Sequence, residues 1–191
     1  MKHRTLYATR LLLAAGALLA LSGCRSLEAP IGTVEHVDLE RFMGDWYVLA
    51  AIPTWIEREA YNAVESYQLD ADGRVLTTFT FNHGAANGPL RTYHPTGFVE
   101  PGTGNAVWGM QFVWPIRAEY RVIYLDPGYR ITIIGRNKRD YAWIMARSPD
   151  IDQPAYRELL EILDREGYDT SEVRRVPHAP VAKTGNGQGD N

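Results

Sequence analysis

The chain reads as an all-β protein, a closed eight-stranded antiparallel up-and-down barrel with one α-helix packed against it. Three observations predict this. Residues 107–114 alternate strictly, with Trp108, Met110, Phe112 and Trp114 on one face and Val107, Gly109, Gln111 and Val113 on the other, the period of a strand with one face on an apolar volume. Further strand-like segments rich in aromatic and β-branched residues follow one another at short intervals, punctuated by Gly, Pro and Asp, as in a meander. A single segment, 152–166, changes to helical spacing. A meander of this length has two exposed edges unless it closes, and closure removes both.

The elements follow in order. Asp38 is a candidate N-cap for one helical turn over Asp38 to Met43, since its carboxylate is suited to accept from a free backbone N–H. Strands are expected at Asp45 to Ile52, Asn62 to Leu69 and Arg74 to Asn82, the last two joined by a turn at Asp72-Gly73. Arg91 to Glu100 is the fourth strand; Pro95 inside it has no N–H to give to a ladder and marks an edge or a bulge. After the loop Pro101 to Asn105 come Val107 to Trp114, then Glu119 to Leu125 and Tyr129 to Arg136, a hairpin turning at Asp126-Pro127-Gly128, and then Asp140 to Arg147. The helix over Asp152 to Glu166 has Asp152 as N-cap, Pro154 in its first turn and Gly167 as terminator. Its stripe of Ala155, Tyr156, Leu159, Leu160 and Leu163 must cover an apolar surface, and the outer wall of the sheet is the natural partner. Val173 to Val176 is a short final strand, and the small, polar, Gly-rich stretch 177–191 reads as a disordered tail.

The N-terminus is read separately. Lys2, Arg4 and Arg10 precede an apolar run from Leu11 to Ala20, too short to span a bilayer, and then Leu21-Ser22-Gly23-Cys24. Cys24 is the only cysteine, so no intrachain disulfide forms. From Cys24 onward the chain has 168 residues with 17 Lys+Arg and 23 Asp+Glu, a net charge of -6. That balance argues against nucleic acid as a partner and against adsorption to anionic lipid heads.

Two resemblances rest on these residues. Leu21-Ser22-Gly23-Cys24 resembles the lipobox of bacterial lipoproteins. It implies a signal peptide over 1–23, a Cys24 thiol carrying diacylglycerol with palmitate-type acyl chains, and a tether over 24–37. Arg25 and Ser26 follow Cys24, with no Asp at the next position to retain such a protein in the inner membrane, so the resemblance implies the periplasmic side of the outer membrane. Over 38–176 the motifs Gly44-Asp45-Trp46-Tyr47, Leu125-Asp126-Pro127-Gly128-Tyr129, Trp143 to Pro149 and Arg165 to Asp169 resemble, in order and spacing, those of the bacterial outer-membrane lipoprotein lipocalins, a family related to apolipoprotein D. Leu125 stands where that family usually has Thr. The resemblance implies that Trp46 lies across the closed end with the Arg147 guanidinium stacked on it, a contact of ~0.5–2 kcal/mol.

An eight-stranded barrel has room for one small ligand. Tyr67, Phe79, Phe81, Trp108, Met110, Phe112, Tyr120, Trp143 and Met145 are the candidate lining residues. Which face of each strand points inward stays open, because a one-residue slip reverses every assignment. The ligand expected is a fatty acid, lysophospholipid or similar small hydrophobic molecule, since no buried charge is evident among the lining candidates. No cofactor is expected. His3, His36, His83, His94 and His178 have no metal spacing, and no nucleophile is paired with a base in a recognisable motif. A binding or transport protein is therefore expected rather than an enzyme. The alternatives are a barrel enzyme acting on a lipid or pigment, which turnover of a lysophospholipid would reveal, and a structural envelope protein with a filled barrel, which would extract no lipid.

Overall fold

The computed structural model describes residues 29–179, whose ten strands form one antiparallel sheet that closes where the first and ninth strands pair. The expected signal segment, Cys24 and the tail from residue 180 lie outside the described residues. A short helix, α1 (Leu39–Phe42), is capped by Asp38, whose side chain accepts from Arg41 N at 3.2 Å. The barrel strands are β1 (Gly44–Ile52), β2 (Ala60–Leu69), β3 (Arg74–His83), β4 (Leu90–Tyr93), β5 (Thr96–Val99), β6 (Val107–Val113), β7 (Ile116–Leu125), β8 (Ile131–Gly135) and β9 (Ala142–Ala146). After α2 (Gln153–Arg165) and a 3-10 turn (Thr170–Glu172), β10 (Arg174–Arg175) ends the series.

One correction concerns the expected fourth strand, which is two strands. Pro95 breaks it, and β4 and β5 both pair with β3 while only β5 continues to β6. Lacking an N–H, Pro95 interrupts the ladder; its carbonyl still accepts from Thr77 N at 3.1 Å. Counting β4 and β5 as one broken strand and β10 as an addition leaves eight barrel strands.

Two apolar volumes result. Inside the barrel, Phe42, Trp46, Val48, Tyr67, Val75, Phe79, Phe81, Trp108, Val122, Ile134 and Met145 pack together. Outside it, Tyr156, Leu159 and Leu163 of α2 pack on Ala50, Ile52, Ile133, Ala142 and Ile144 from β1, β8 and β9, the outer wall that the helical stripe required. Asp152 caps this helix, accepting from Ala155 N at 2.7 Å. At its other end Gly167 has φ +84, and a Cβ there would stand 2.9 Å from Nε of Arg139, so only glycine fits.

The C-terminal segment has a structural part. β1 pairs with β2 only from Gly44 to Tyr47, while farther along the same edge Ala50 and Ala51 pair with β10. Val176 N donates to Leu49 O at 2.9 Å, and Asn62 N donates to Pro177 O at 2.9 Å. Ala179 N donates to Oδ1 of Asn62 at 2.7 Å. The upper halves of β1 and β2 therefore part, and residues 174–179 fill the seam. The tail boundary expected at Pro177 is corrected accordingly: these hydrogen bonds hold the chain through Ala179.

Candidate ligand cavity

The ends of the barrel differ because the side chains delivered to them differ. At the end where β1 starts, Trp46 is fully buried, its indole N–H donates to Phe42 O at 2.8 Å, and the Arg147 guanidinium lies 3.9 Å from its ring centroid. Arg147 also donates to the carbonyls of Arg41, Phe42, Met43 and Asp45 at 2.8–3.0 Å. It thus ties α1 and β1 to the end of β9, and burial pushes its pKa below the usual guanidinium range. Gly44 begins β1 at φ +91, with Nη1 of Arg147 3.4 Å from where a Cβ would be, which explains the motif glycine.

Above this closed end Trp108 stacks on Tyr120, with ring centroids 4.8 Å apart, and meets Phe42 edge-on at 5.4 Å. Tyr67 meets both Phe42 and Trp108 at 5.8 Å. This aromatic layer is the floor of a cavity of about 530 Å³ that opens between the loops at the other end. An interior of this width is easily filled by large side chains, so the cavity occupies only the upper part.

Of the candidate lining residues, Phe79, Met110, Phe112, Tyr120 and Trp143 are on the cavity wall. Tyr67, Phe81, Trp108 and Met145 are not on that wall. Tyr67 and Trp108 belong to the layer beneath, Phe81 is covered by Phe79 and Tyr93 with centroids 5.3 and 6.1 Å away, and Met145 is fully buried in the barrel interior. The face Trp108, Met110, Phe112, Trp114 is also not uniform. The register between β6 and β7 shifts between Met110 and Val113, so Phe112 reaches the rim and Trp114 is 81% exposed.

Sequence reasoning missed a set of polar wall residues: Glu57, Glu65, His94, Glu119 and Arg136. Glu65 is the most consequential. It accepts from the Tyr67 hydroxyl, which also shares a hydrogen bond of 2.8 Å with the Tyr120 hydroxyl. Desolvation, opposed by the bond from Tyr67 and reinforced by the charge of Glu57, raises its pKa from 4.5 to about 7. Burial first, and the Glu65 charge second, push both tyrosines well above 10. The signal for Glu65 was present in the sequence: it is two residues from Tyr67 on one strand, so an inward Tyr67 carries Glu65 inward too. Glu57 descends from the β1–β2 loop to accept from the Trp143 indole N–H at 2.8 Å and from Thr54 N at 3.1 Å. Glu119 accepts from Asn137 N at 2.8 Å and from Arg121 at 3.1 Å. Arg136 pairs with Asp140 at 3.4 Å, and its buried Nε has no hydrogen-bond partner among the described residues.

Around the mouth Trp55, Leu90, Val113, Trp114 and Ile116 are 65–81% exposed. They stand on or beside the β1–β2, β3–β4 and β6–β7 loops, which share the end at which the cavity opens. His83 and His94 do not meet. His83 is 3.5 Å from Glu59, and His94 is 3.4 Å from Thr78.

Comparison with known proteins agrees with this architecture. A family model described as a lipocalin-like domain matches residues 37–178. Outer membrane lipoprotein Blc of Citrobacter freundii is 30% identical over 155 residues, which cover 78% of this chain and 85% of that protein. Temperature-induced lipocalin-1 of Arabidopsis thaliana is 27% identical over 162 residues, covering 80% and 86%. Among solved structures, insecticyanin of the tobacco hornworm Manduca sexta superposes with a TM-score of 0.62 at 16% identity, covering 78% of this chain and 85% of that one.

Proposed function

The chain belongs to the lipocalin-like family, and from that premise we propose that it is a lipid-anchored envelope protein that binds fatty acids or lysophospholipids in its barrel. The observation that carries the reading is the cavity of about 530 Å³, open at one end and walled by Phe79, Tyr93, Met110, Phe112 and Trp143. A volume of this size suits one acyl chain. Each methylene buried contributes ~0.8 kcal/mol, part of which is offset by the cost of association and ordering. The head group of a tail-first lipid stays at the mouth, where the Arg136 guanidinium on the wall donates to an anionic oxygen.

The relatives named outer membrane lipoprotein support an envelope location. The lipobox-like run ending at Cys24 supports a lipid anchor. Ile31 N donates to Oδ1 of Asn137 at 2.9 Å, in the β8–β9 loop at the open end. The apolar rim and the start of the barrel domain therefore share one end, an arrangement suited to a mouth turned towards the bilayer.

Acyl chain length is the test. Tryptophan emission of the mature protein, with Trp143 on the wall, should report affinities that rise steeply from short to long fatty acids and lysophospholipids. Affinity that stays flat with chain length rules out the barrel interior as the site. For the anchor, Cys24→Ala should leave the membrane fraction and lose a metabolic lipid label; a variant that still pellets and labels normally refutes it.

A further inference from the structure

We propose that the floor of the cavity is a subsite for the protonated amine of an amphipathic ligand, with Glu65 as its counter-ion and the ligand's hydrocarbon chain directed to the mouth. The inference rests on the reading of the barrel as a binding site and goes beyond it in naming the charge the floor selects.

The geometry sets Glu65 apart from the other ionisable groups on the wall. Glu57, from the β1–β2 loop, is engaged by Trp143 and Thr54. Glu119, on β7, is engaged by Asn137 and Arg121. Arg136, beyond β8, is held by Asp140 and lies 5.2 Å from the Tyr141 ring centroid. His94, between β4 and β5, is beside Thr78. Glu65 has a single hydrogen-bond partner among the described residues, the Tyr67 hydroxyl, and no cation pairs with it. Glu65 itself stands on the cavity wall.

When Glu65 is ionised, the Tyr67 proton is committed to it. Tyr120 must then donate in the shared 2.8 Å bond, and its own oxygen keeps a lone pair. The floor therefore offers a carboxylate oxygen and a phenol oxygen, both acceptors. An anion placed there is repelled by Glu65 and Glu57. A bare methyl end, as a tail-first lipid presents, suits the floor while Glu65 holds its proton, but leaves the ionised carboxylate without a partner, which is costly in a desolvated site. An ammonium group supplies both charge and up to three donors. Because Glu65 titrates at about 7, amine affinity should rise between pH 6 and pH 8.

The experiment titrates dodecylamine, dodecan-1-ol and dodecanoic acid, all below their micellar concentrations, into the mature protein and its Glu65→Gln variant at pH 6 and pH 8, read by tryptophan emission. In the parent at pH 8 the amine should bind about tenfold or more tighter than the acid, the scale of one charge-assisted hydrogen bond. The variant should lose that preference and its pH dependence while still binding the alcohol, which also shows that it is folded. Equal binding of amine and acid by the parent, or a preference that survives in Glu65→Gln, overturns the amine subsite and leaves the barrel-binding reading intact. If none of the three binds the parent, both readings fall.

Discussion

Trp46 and Trp114 show how far burial separates residues of one type. Trp46 is fully enclosed, hydrogen-bonded to Phe42 and covered by Arg147, whereas Trp114 is 81% exposed at the rim. Trp46→Ala should therefore destabilise the domain by ~3–5 kcal/mol, and Trp114→Ala by no more than ~0.5 kcal/mol, as measured by urea denaturation. Equal midpoints for the two variants would remove Trp46 from the core. Glu65 makes a prediction of opposite sign. Its folded pKa of about 7 lies above the ordinary 4.5, so between those values the folded state holds a proton that the unfolded state has released. The stability linked to Glu65 is complete below about pH 4.5, falls as pH rises towards 7, and is level beyond. Glu65→Gln keeps a neutral hydrogen-bonding group and removes that loss. It should be more stable than the parent at pH 8 by up to about 3 kcal/mol, with the gap closing near pH 4.5. A gap that does not change with pH would show that Glu65 is not desolvated.

The β7–β8 turn shows how one side chain organises an element. Asp126 accepts from Gly128 N at 3.0 Å, Arg130 N at 2.5 Å and Ile131 N at 2.6 Å. Desolvation raises its pKa, but these three bonds and the nearby Arg130 charge outweigh it and hold the carboxyl below its ordinary 3.8. A depressed pKa contributes stability above 3.8 that is lost as pH falls through the folded value. Asp126→Ala should cost ~1–3 kcal/mol at neutral pH, and its deficit against the parent should shrink in acid below about pH 4. A deficit that persists undiminished at pH 2 would mean that the side chain acts by shape rather than by charge. This turn was legible from Asp126-Pro127-Gly128 because its chemistry is local. The break at Pro95 was legible only in part: the missing N–H predicts an interruption, but the pairing of both halves with β3 depends on partners far along the chain.

At the scale of the whole molecule, closure is completed by the last described residues. The sheet closes through β1 and β9, and the split between the upper halves of β1 and β2 is bridged by residues 174–179. A chain ending at Val173 leaves the Leu49 carbonyl and the Asn62 N–H without those partners. Removal of the segment should lower stability by ~2–4 kcal/mol, at about one kcal/mol per hydrogen bond lost, and should speed amide exchange at Asn62. An unchanged denaturation midpoint with unchanged exchange would show that the seam closes without it.

Sequence alone determined the parts that depend on local chemistry and period. The strand series, the Asp38 and Asp152 caps, the turns at Gly73 and Asp126, and the apolar stripe of α2 all follow from residues within a few positions of one another. Parity inside the barrel was decided by tertiary structure. The β6–β7 register shift sends Phe112 and Trp114 to the rim while Trp108 stays in the floor, and no count along β6 reveals a shift set by its partner strand. The same holds for Glu65: alternation allows it to face inward, but a carboxyl with one tyrosine for a partner and no cation beside it exists only where β2 and β7 bring Glu65, Tyr67 and Tyr120 together. Local residues write the elements, and the closure of the barrel sets what they enclose, because enclosure depends on strands distant in sequence.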